Sequence, residues 1–545
     1  MRCSVLVVGA GPVGLTAAMD LAWRGIDVVM VELRQRGESP NVKCNHVAAR
    51  SMEIFRRLGV ADALRQAGLP EDYANDVSYR TTTLGRELAR IPIPCRRDRF
   101  TDRSGPDGDW PTPEPPHRIN QIFLEPILFA HAEAMPGITI LTRTALEGFT
   151  QDEDGVTATL RNLDTSGETT VHAAYLIGAD GARSIVRRGI GASFQGDAVV
   201  QRVQSTYIHA PALIGLIPDR PAWVMFSLNP RRSGNVMAID GRERWLVHNY
   251  LRDDEPDFDS VDRDWAIRTI IGAPPDFHYD IITKEDWFGR RLVADRFRDR
   301  RAFIAGDAAH IWVPYAGYGM NAGIADATNL TWQLAAVLKG WADPALLDAY
   351  EAERHPITEQ VSVFAMNHSA AMARARREVP ADIEAEGPEG DAIRARVGQA
   401  SYDLNVMQYC CAGLNFGSYY DASPIIVPDG ETPPPYSMGS FTPSTVPGCR
   451  LPHLWLADGR SLYDALGPDY TLLRFDPAVE AGPLLREAAG QGLPLALLDV
   501  TADDITPYRH ALVIARPDQH VAWRGDTAPA DLVTLVARLR GAKRR

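Results

Sequence analysis

Val5-Leu6-Val7-Val8-Gly9-Ala10-Gly11-Pro12-Val13-Gly14 reads as a buried strand that runs into a turn of small residues and then opens a helix over Pro12–Trp23. Gly9 permits the tight turn, Gly11 lets a pyrophosphate approach the backbone, and Gly14 lets the helix pack on the strand. Pro12 starts the helix, whose free N–H groups and positive dipole end then face the phosphates. A second strand, Val28-Val29-Met30-Val31, ends at Glu32, about twenty residues past the motif, where a carboxylate accepts ribose hydroxyls. Arg34 follows two residues later and is placed on the same cofactor side. Strand, turn, helix, strand and acid in that order predict a Rossmann-like dinucleotide-binding unit.

A second glycine signature lies about three hundred residues away, where Ala302-Phe303-Ile304-Ala305 runs into Gly306-Asp307. A single fingerprint says only that a nucleotide binds. A cofactor held at both ends by two distant signatures points to flavin adenine dinucleotide (FAD).

The chain has 545 residues, which predicts two or three domains. Apolar content of 45% and charged content of 23% are those of a soluble globular protein. A net charge of −13 argues against nucleic acid and anionic membranes as partners. No apolar run reaches bilayer length, and the amino terminus runs straight into the first strand. The six cysteines form neither a disulfide framework nor a C-x-x-C pair, so a reducing, cytoplasmic setting is expected.

The predicted organisation is an α/β fold. Residues 1–190 form the first part of the FAD-binding unit and carry part of a substrate domain near 75–115. Residues 191–285, rich in alternating segments such as Trp223–Leu228 and Arg244–Tyr250, predict an inserted antiparallel sheet that binds substrate. The FAD unit resumes over 286–372 and includes a helix from Gly319 to Lys339. A helical, proline-rich linker is expected over 373–440, and a separate carboxy-terminal unit over 441–545.

Three motifs in this order resemble the class A flavin-dependent aromatic hydroxylases over essentially the whole chain. The first is the Gly9–Gly14 turn with Glu32. The second is Gly178-Ala179-Asp180-Gly181-Ala182-Arg183-Ser184, with Val186-Arg187 after it. The third is Gly306-Asp307-Ala308-Ala309-His310, followed by Pro314 and Gly317-Tyr318-Gly319-Met320-Asn321. The resemblance implies that Asp180 and Arg183 meet the flavin or the nicotinamide cofactor, that Asp307 binds the ribityl chain, and that Gln121 touches flavin phosphate or ribityl. It also implies that Pro314, Gly319, Met320 and Asn321 belong to the flavin wall. Tyr318 departs from the family, which often has Gln there. Phenol hydroxylases and polyketide-tailoring oxygenases are the most similar subgroup, and their carboxy-terminal appendage is thioredoxin-like. Without C-x-x-C, that appendage is expected to be structural.

The implied reaction hydroxylates a phenolic or polyketide-like ring with O2 and NAD(P)H through a C4a-hydroperoxyflavin. No second Gly-x-Gly-x-x-Gly occurs, so NAD(P)H is expected to dock transiently. The other partner is the small aromatic substrate, and a homodimer is left open. Phenol has a pKa near that of tyrosine, about 10, so a base is useful at neutral pH. His46, in Cys44-Asn45-His46-Val47, is the candidate base. Arg242 is the candidate gate for the nicotinamide, and Trp223 and Phe226 are candidates to cover the substrate. His310 has no partner at ligand spacing, and no metal is expected. Epoxidation and Baeyer–Villiger oxygenation on the same scaffold remain alternatives, as does a non-catalytic flavin-binding protein. A flavin-dependent halogenase is disfavoured because no Trp-x-Trp-x-Ile-Pro run occurs.

Overall fold

The computed structural model describes residues 1–542 apart from Lys43, Asp109, Tyr315 and Ala316; the last three residues of the carboxy-terminal unit lie outside the described residues. Arg2–Val8 forms the centre of the first sheet, with Val5–Val8 wholly buried. It pairs in parallel with Val28–Val31 on one side and Glu168–Gly178 on the other. Ile138–Leu141 and Ala302–Ile304 extend the parallel sheet outward. The order of these strands explains why motifs far apart in sequence meet. Gly9 N donates to Val31 O, Ala179 N to Val8 O, and Ala305 N to Gly178 O, so all three motif turns leave the same sheet edge. Ligands of open parallel sheets bind outside such carboxyl ends.

The helix Pro12–Trp23 forms as the sequence predicts, and Tyr318–Leu338 packs beside it. Among the described residues the second sheet has nine strands, built around the sixteen-residue strand Phe194–His209. Arg244–Tyr250 pairs with it antiparallel, as do Trp287–Ala294 and Asp280–Lys284. One pair departs from the expected antiparallel pattern, because Val224–Ser227 runs parallel to Val77–Arg80. Val77–Arg80 enters from a remote segment and is not tied to its neighbour by a hairpin, so connectivity does not dictate its direction.

Within the stretch expected as a linker, Gly387–Tyr409 is a helix packed on the strand Glu87–Ile91. A side chain at Gly398 would lie 2.1 Å from Leu88 O, so this segment is a fitted part of the second core and not a free connector. In the carboxy-terminal unit, Tyr470–Arg474 pairs parallel with Leu495–Asp499 and antiparallel with Leu512–Ala515, which continues into Val521–Gly525. Helices Gly482–Gly490 and Leu532–Leu539 complete it. Its core is continuous with the flavin unit, since Trp332 and Leu346 pack with Tyr470, Leu472 and Ile514. Among the described residues no helix is long and apolar enough to cross a membrane.

Candidate active site

The amino-terminal turn is shaped by close backbone approach. Gly9 has φ of +100°, and a Cβ there would meet Ala179 O at 2.4 Å; one at Gly14 would meet Gly9 O at 2.0 Å. A Cβ at Gly11 would meet nothing within 4 Å, which leaves room where a pyrophosphate must approach. Glu32 accepts from Ala10 N at 2.8 Å and Arg34 N at 2.9 Å. Burial opposes its charge, but Arg34 and these backbone donors hold its carboxyl below the usual range. Arg34 also pairs with Glu125 at 2.6 Å, and Gln121 donates to Glu125 at 2.9 Å. Glu32, Arg34 and Gln121 therefore converge in one network.

The far end of the cradle is built on the second signature. Gly306 has φ of +60° and abuts Val13. Its N–H donates to Asp326, which His310 meets at 2.6 Å and Arg354 at 2.8 Å. Burial would raise the Asp326 pKa, but its partners His310 and Arg354 bring it down to about 2. His310 is thus a buried strut under the turn. Asp307 is exposed, with no hydrogen bond or ion pair among the described residues, and is free to accept from a ligand hydroxyl. The helix Tyr318–Leu338 starts after Gly317 (φ +59°) without a side-chain cap, so its first N–H groups are available to a negative charge. Pro314 is exposed and Gly319 open beside this helix end, while Met320 is half-buried against the flavin core. An FAD fits this set: a glycine cradle, a ribose carboxylate, a free distal carboxylate and an uncapped helix end.

The other candidate residues have these surroundings. Asp180 turns inward and caps the short helix Ile185–Gly189, accepting from Ile185 N at 2.7 Å and Val186 N at 3.2 Å. Arg183 is exposed on the surface, and the neighbouring Arg187 binds the third motif instead, donating to Ala308 O. Asn321 spends its amide on protein: it accepts from Ala48 N and Ser51 Oγ and donates to His46 O and Gly317 O. It positions the His46 loop and has no free group for a cofactor. Tyr318 points away and donates to Leu414 O, so its departure from the family does not reach the flavin edge. Phe226 stacks on Tyr79 at 5.2 Å within the sheet core. Arg242 lies on an exposed turn, fixed through its backbone N to Asp240.

His46, buried at 3% exposure, is brought to the cleft by one antiparallel bridge, Val47 to His117, which sets Arg118 beside it. Arg118 approaches His46 Nδ1 at 2.7 Å and lies 4.0 Å over the ring of Trp223. Burial and Arg118 push the imidazole well below its usual pKa. A guanidinium only donates, so Nδ1 accepts and the proton sits on Nε2, which has no partner among the described residues. In this arrangement the basic nitrogen is already engaged, and a low pKa weakens its pull on a proton, so the geometry favours donation from Nε2 over the base role expected of His46. Arg118 was missed in the sequence because nothing separates it from an ordinary arginine. The bridge that makes it matter joins segments seventy residues apart.

Fold and site together define an FAD-binding unit joined to a second, mainly antiparallel sheet. Residues 2–365 match the FAD binding domain family, and residues 444–542 match the aromatic-ring hydroxylase carboxy-terminal family. The chain is 30% identical to a phenol 2-monooxygenase of Pseudomonas sp. (strain EST1001), covering 98% of this chain and 92% of the relative. Among solved structures, the rebeccamycin biosynthetic enzyme RebC with reduced flavin superposes with a TM-score of 0.90 at 33% identity, covering all of both chains. Aklavinone-11 hydroxylase with FAD and aklavinone gives 0.80 at 28% identity, over 99% of this chain and 98% of that one. The chain belongs to the FAD-dependent aromatic-ring hydroxylases, and it is a flavoprotein monooxygenase.

Proposed function

We propose that this enzyme hydroxylates a phenolic or polyketide-like ring. One atom of O2 enters the ring, the other leaves as water, and NAD(P)H supplies the two electrons. The observation that carries this reading is that His46 lies against Gly317, at the amino end of the helix Tyr318–Leu338, and is joined there to Arg118 and through it to Trp223. When bound, FAD supplies the redox and oxygen-activating chemistry. Glu32 binds the adenosine ribose, Asp307 binds the ribityl chain, and the amino end of Tyr318–Leu338 stabilises negative charge on the ring system. His46 hydrogen-bonds the ring oxygen through Nε2–H, and Trp223 excludes water above it. Arg242, on its exposed turn, meets a nicotinamide cofactor that docks without a Rossmann domain of its own.

The carboxy-terminal sheet, with one parallel and two antiparallel pairings and two helices, supports a thioredoxin-like unit of structural purpose. Six unpaired cysteines support a cytoplasmic setting. The test is to screen FAD-loaded protein against phenols and aromatic polyketides for stimulated NAD(P)H oxidation and a product heavier by one oxygen. FAD-loaded protein that transfers oxygen to no aromatic ring overturns the reading.

A further inference from the structure

Among the described residues, Arg118 is a buried cation without an ion-pair partner. It is 7% exposed, and no carboxylate lies within 4 Å of it among the described residues. The neighbouring acid, Asp107, is taken by Arg99 at 2.6 Å. Among the described residues the guanidinium makes one hydrogen bond, to the imidazole of His46, and its face lies on Trp223. Its Nε and second terminal nitrogen have no hydrogen-bond partner among the described residues. Arg99, Asp107, Arg118 and His46 thus form a buried cluster of net charge +1. Buried charges are ordinarily paired, because leaving one unpaired forfeits hydration without return. Arg516 meets Glu353 and Asp518, and Arg354 meets Asp326; Arg187, which has no carboxylate within 4 Å among the described residues, instead donates to the carbonyls of Ala308 and Ala182. Arg118 has neither a carboxylate nor a carbonyl acceptor among the described residues, and its partner His46 lies against Gly317 at the amino end of the helix Tyr318–Leu338. A side chain at Gly317 would touch His46 Cβ at 3.0 Å, and Asp307 lies close enough to Cys44 to act on it electrostatically.

We propose that Arg118 is a specificity-determining residue: with His46 Nε2–H, it forms a receptor for an anionic oxygen carried on the substrate's aromatic ring. The inference rests on the hydroxylase reading and narrows it to rings bearing a carboxylate or an ionised phenol. The ligand supplies the missing negative charge, and the fork of guanidinium donors suits either oxygen. Trp223 stacks on the guanidinium and keeps it from turning toward solvent. A receptor with this charge also favours ionisation of a phenol bound there, which makes the ring a better nucleophile without a protein base.

The experiment titrates FAD-loaded protein with 1-hydroxy-2-naphthoate, its methyl ester and 1-naphthol, following the flavin absorbance and needing no turnover. The carboxylate source predicts hydroxynaphthoate binding at least ten times tighter than the ester. The phenolate source predicts naphthol affinity that climbs toward high pH as the phenol ionises. Arg118→Gln abolishes whichever preference is found, and Arg118→Lys keeps part of it. If no naphthalene perturbs the flavin, azide is the probe, binding to the wild type and not to Arg118→Gln. A second readout separates this from a structural role. Removing an unpaired buried charge raises the thermal midpoint of the substrate-free holoenzyme, whereas removing a structural arginine lowers it. The proposal is overturned if the anion preference survives in Arg118→Gln, if the wild type prefers no anion, or if Arg118→Gln lowers the midpoint. Oxygen transfer to rings without an anion preference would sink this inference and leave the hydroxylase reading standing.

Discussion

Arg516 and Glu353 are joined by two parallel hydrogen bonds, at 2.5 and 2.8 Å, with neither side chain exposed to solvent. Arg516 belongs to the turn between the last two strands of the carboxy-terminal unit, and Glu353 to the long helix Asp348–Arg377 of the flavin unit. Asp518 shares the guanidinium, and although burial opposes it, Arg516 and His520 hold its carboxyl far below the usual range. From the same turn, Gln519 and the Asp518 carbonyl reach Arg50, four residues past His46. The appendage therefore braces the loop that carries the site.

Glu353→Gln should then destabilise the whole protein, not only its last hundred residues. Breaking one side of a buried pair costs about 3–5 kcal/mol, because the remaining charge stays buried. Thermal unfolding followed by flavin release and by circular dichroism should show one transition moved down in both signals. A loss below about 1 kcal/mol would mean that the pair is relaxed by water. Truncation near residue 440 strips cover from Trp332 and Leu346 and should yield aggregated protein.

The two ends of the cofactor make separable predictions. Asp307 makes no hydrogen bond or ion pair among the described residues, so Asp307→Ala should weaken FAD retention while leaving the apoprotein's thermal midpoint unchanged. Glu32 fastens Ala10 and Arg34, so Glu32→Ala should lower both. A hydrogen bond to a charged group contributes about 1.5–3 kcal/mol, so each affinity should fall roughly ten- to a hundredfold. Fluorescence titration of apoprotein with FAD measures it, and unchanged affinity in both variants would refute the placement.

What could be read in the sequence was what local pattern dictates. The helix at Pro12, the strand Arg244–Tyr250 and the acid at Glu32 follow from glycine spacing and apolar period, and each stands where expected. What could not be read depends on contacts between distant segments. That Asp180 also caps the helix Ile185–Gly189, through one oxygen of its carboxylate, is seen only in the fold. Asn321 looks like flavin wall until its four partners are counted. Arg118 has no local signature at all, since the Val47–His117 bridge alone sets it on His46.

Acid should destabilise this protein through its histidines before its carboxylates. Burial, helped by Arg65, pushes His117 down to about 3, and burial pushes His248 and His453 down to about 4. An unfolded histidine binds its proton below about 6.5, while these stay neutral in the fold, so the unfolded state holds more protons between about 6.5 and 4. Stability is therefore full above that window and falls as pH drops through it, by up to about 1.4 kcal/mol per pH unit for each group. Asp326, held near 2, adds its loss only below about pH 4. Thermal midpoints from pH 7.5 to 4.5 should decline with this slope, and His248→Gln should flatten it. A midpoint flat to pH 5 would contradict the burial of these rings.

Loss of His46 should injure oxygen transfer more than flavin reduction. In the proposed reaction the imidazole donates to the ring oxygen that must develop negative charge, and that demand is absent when hydride arrives. Rapid mixing of His46→Ala with a responsive phenol should show reduction by NAD(P)H near the wild-type rate. Hydroxylation should be slower by about a hundredfold, with hydrogen peroxide released instead of product. The pH profile decides how the imidazole acts. Held well below its usual pKa, it stays neutral across the working range and works by donating from Nε2. Wild-type hydroxylation should then show no break between pH 6 and 7 and should climb only toward the phenol pKa, where His46→Ala recovers. A wild-type break in that interval, lost in His46→Ala, would show an imidazole free of Arg118 and titrating as the base. Equal rates and full coupling in both proteins would remove His46 from the chemistry.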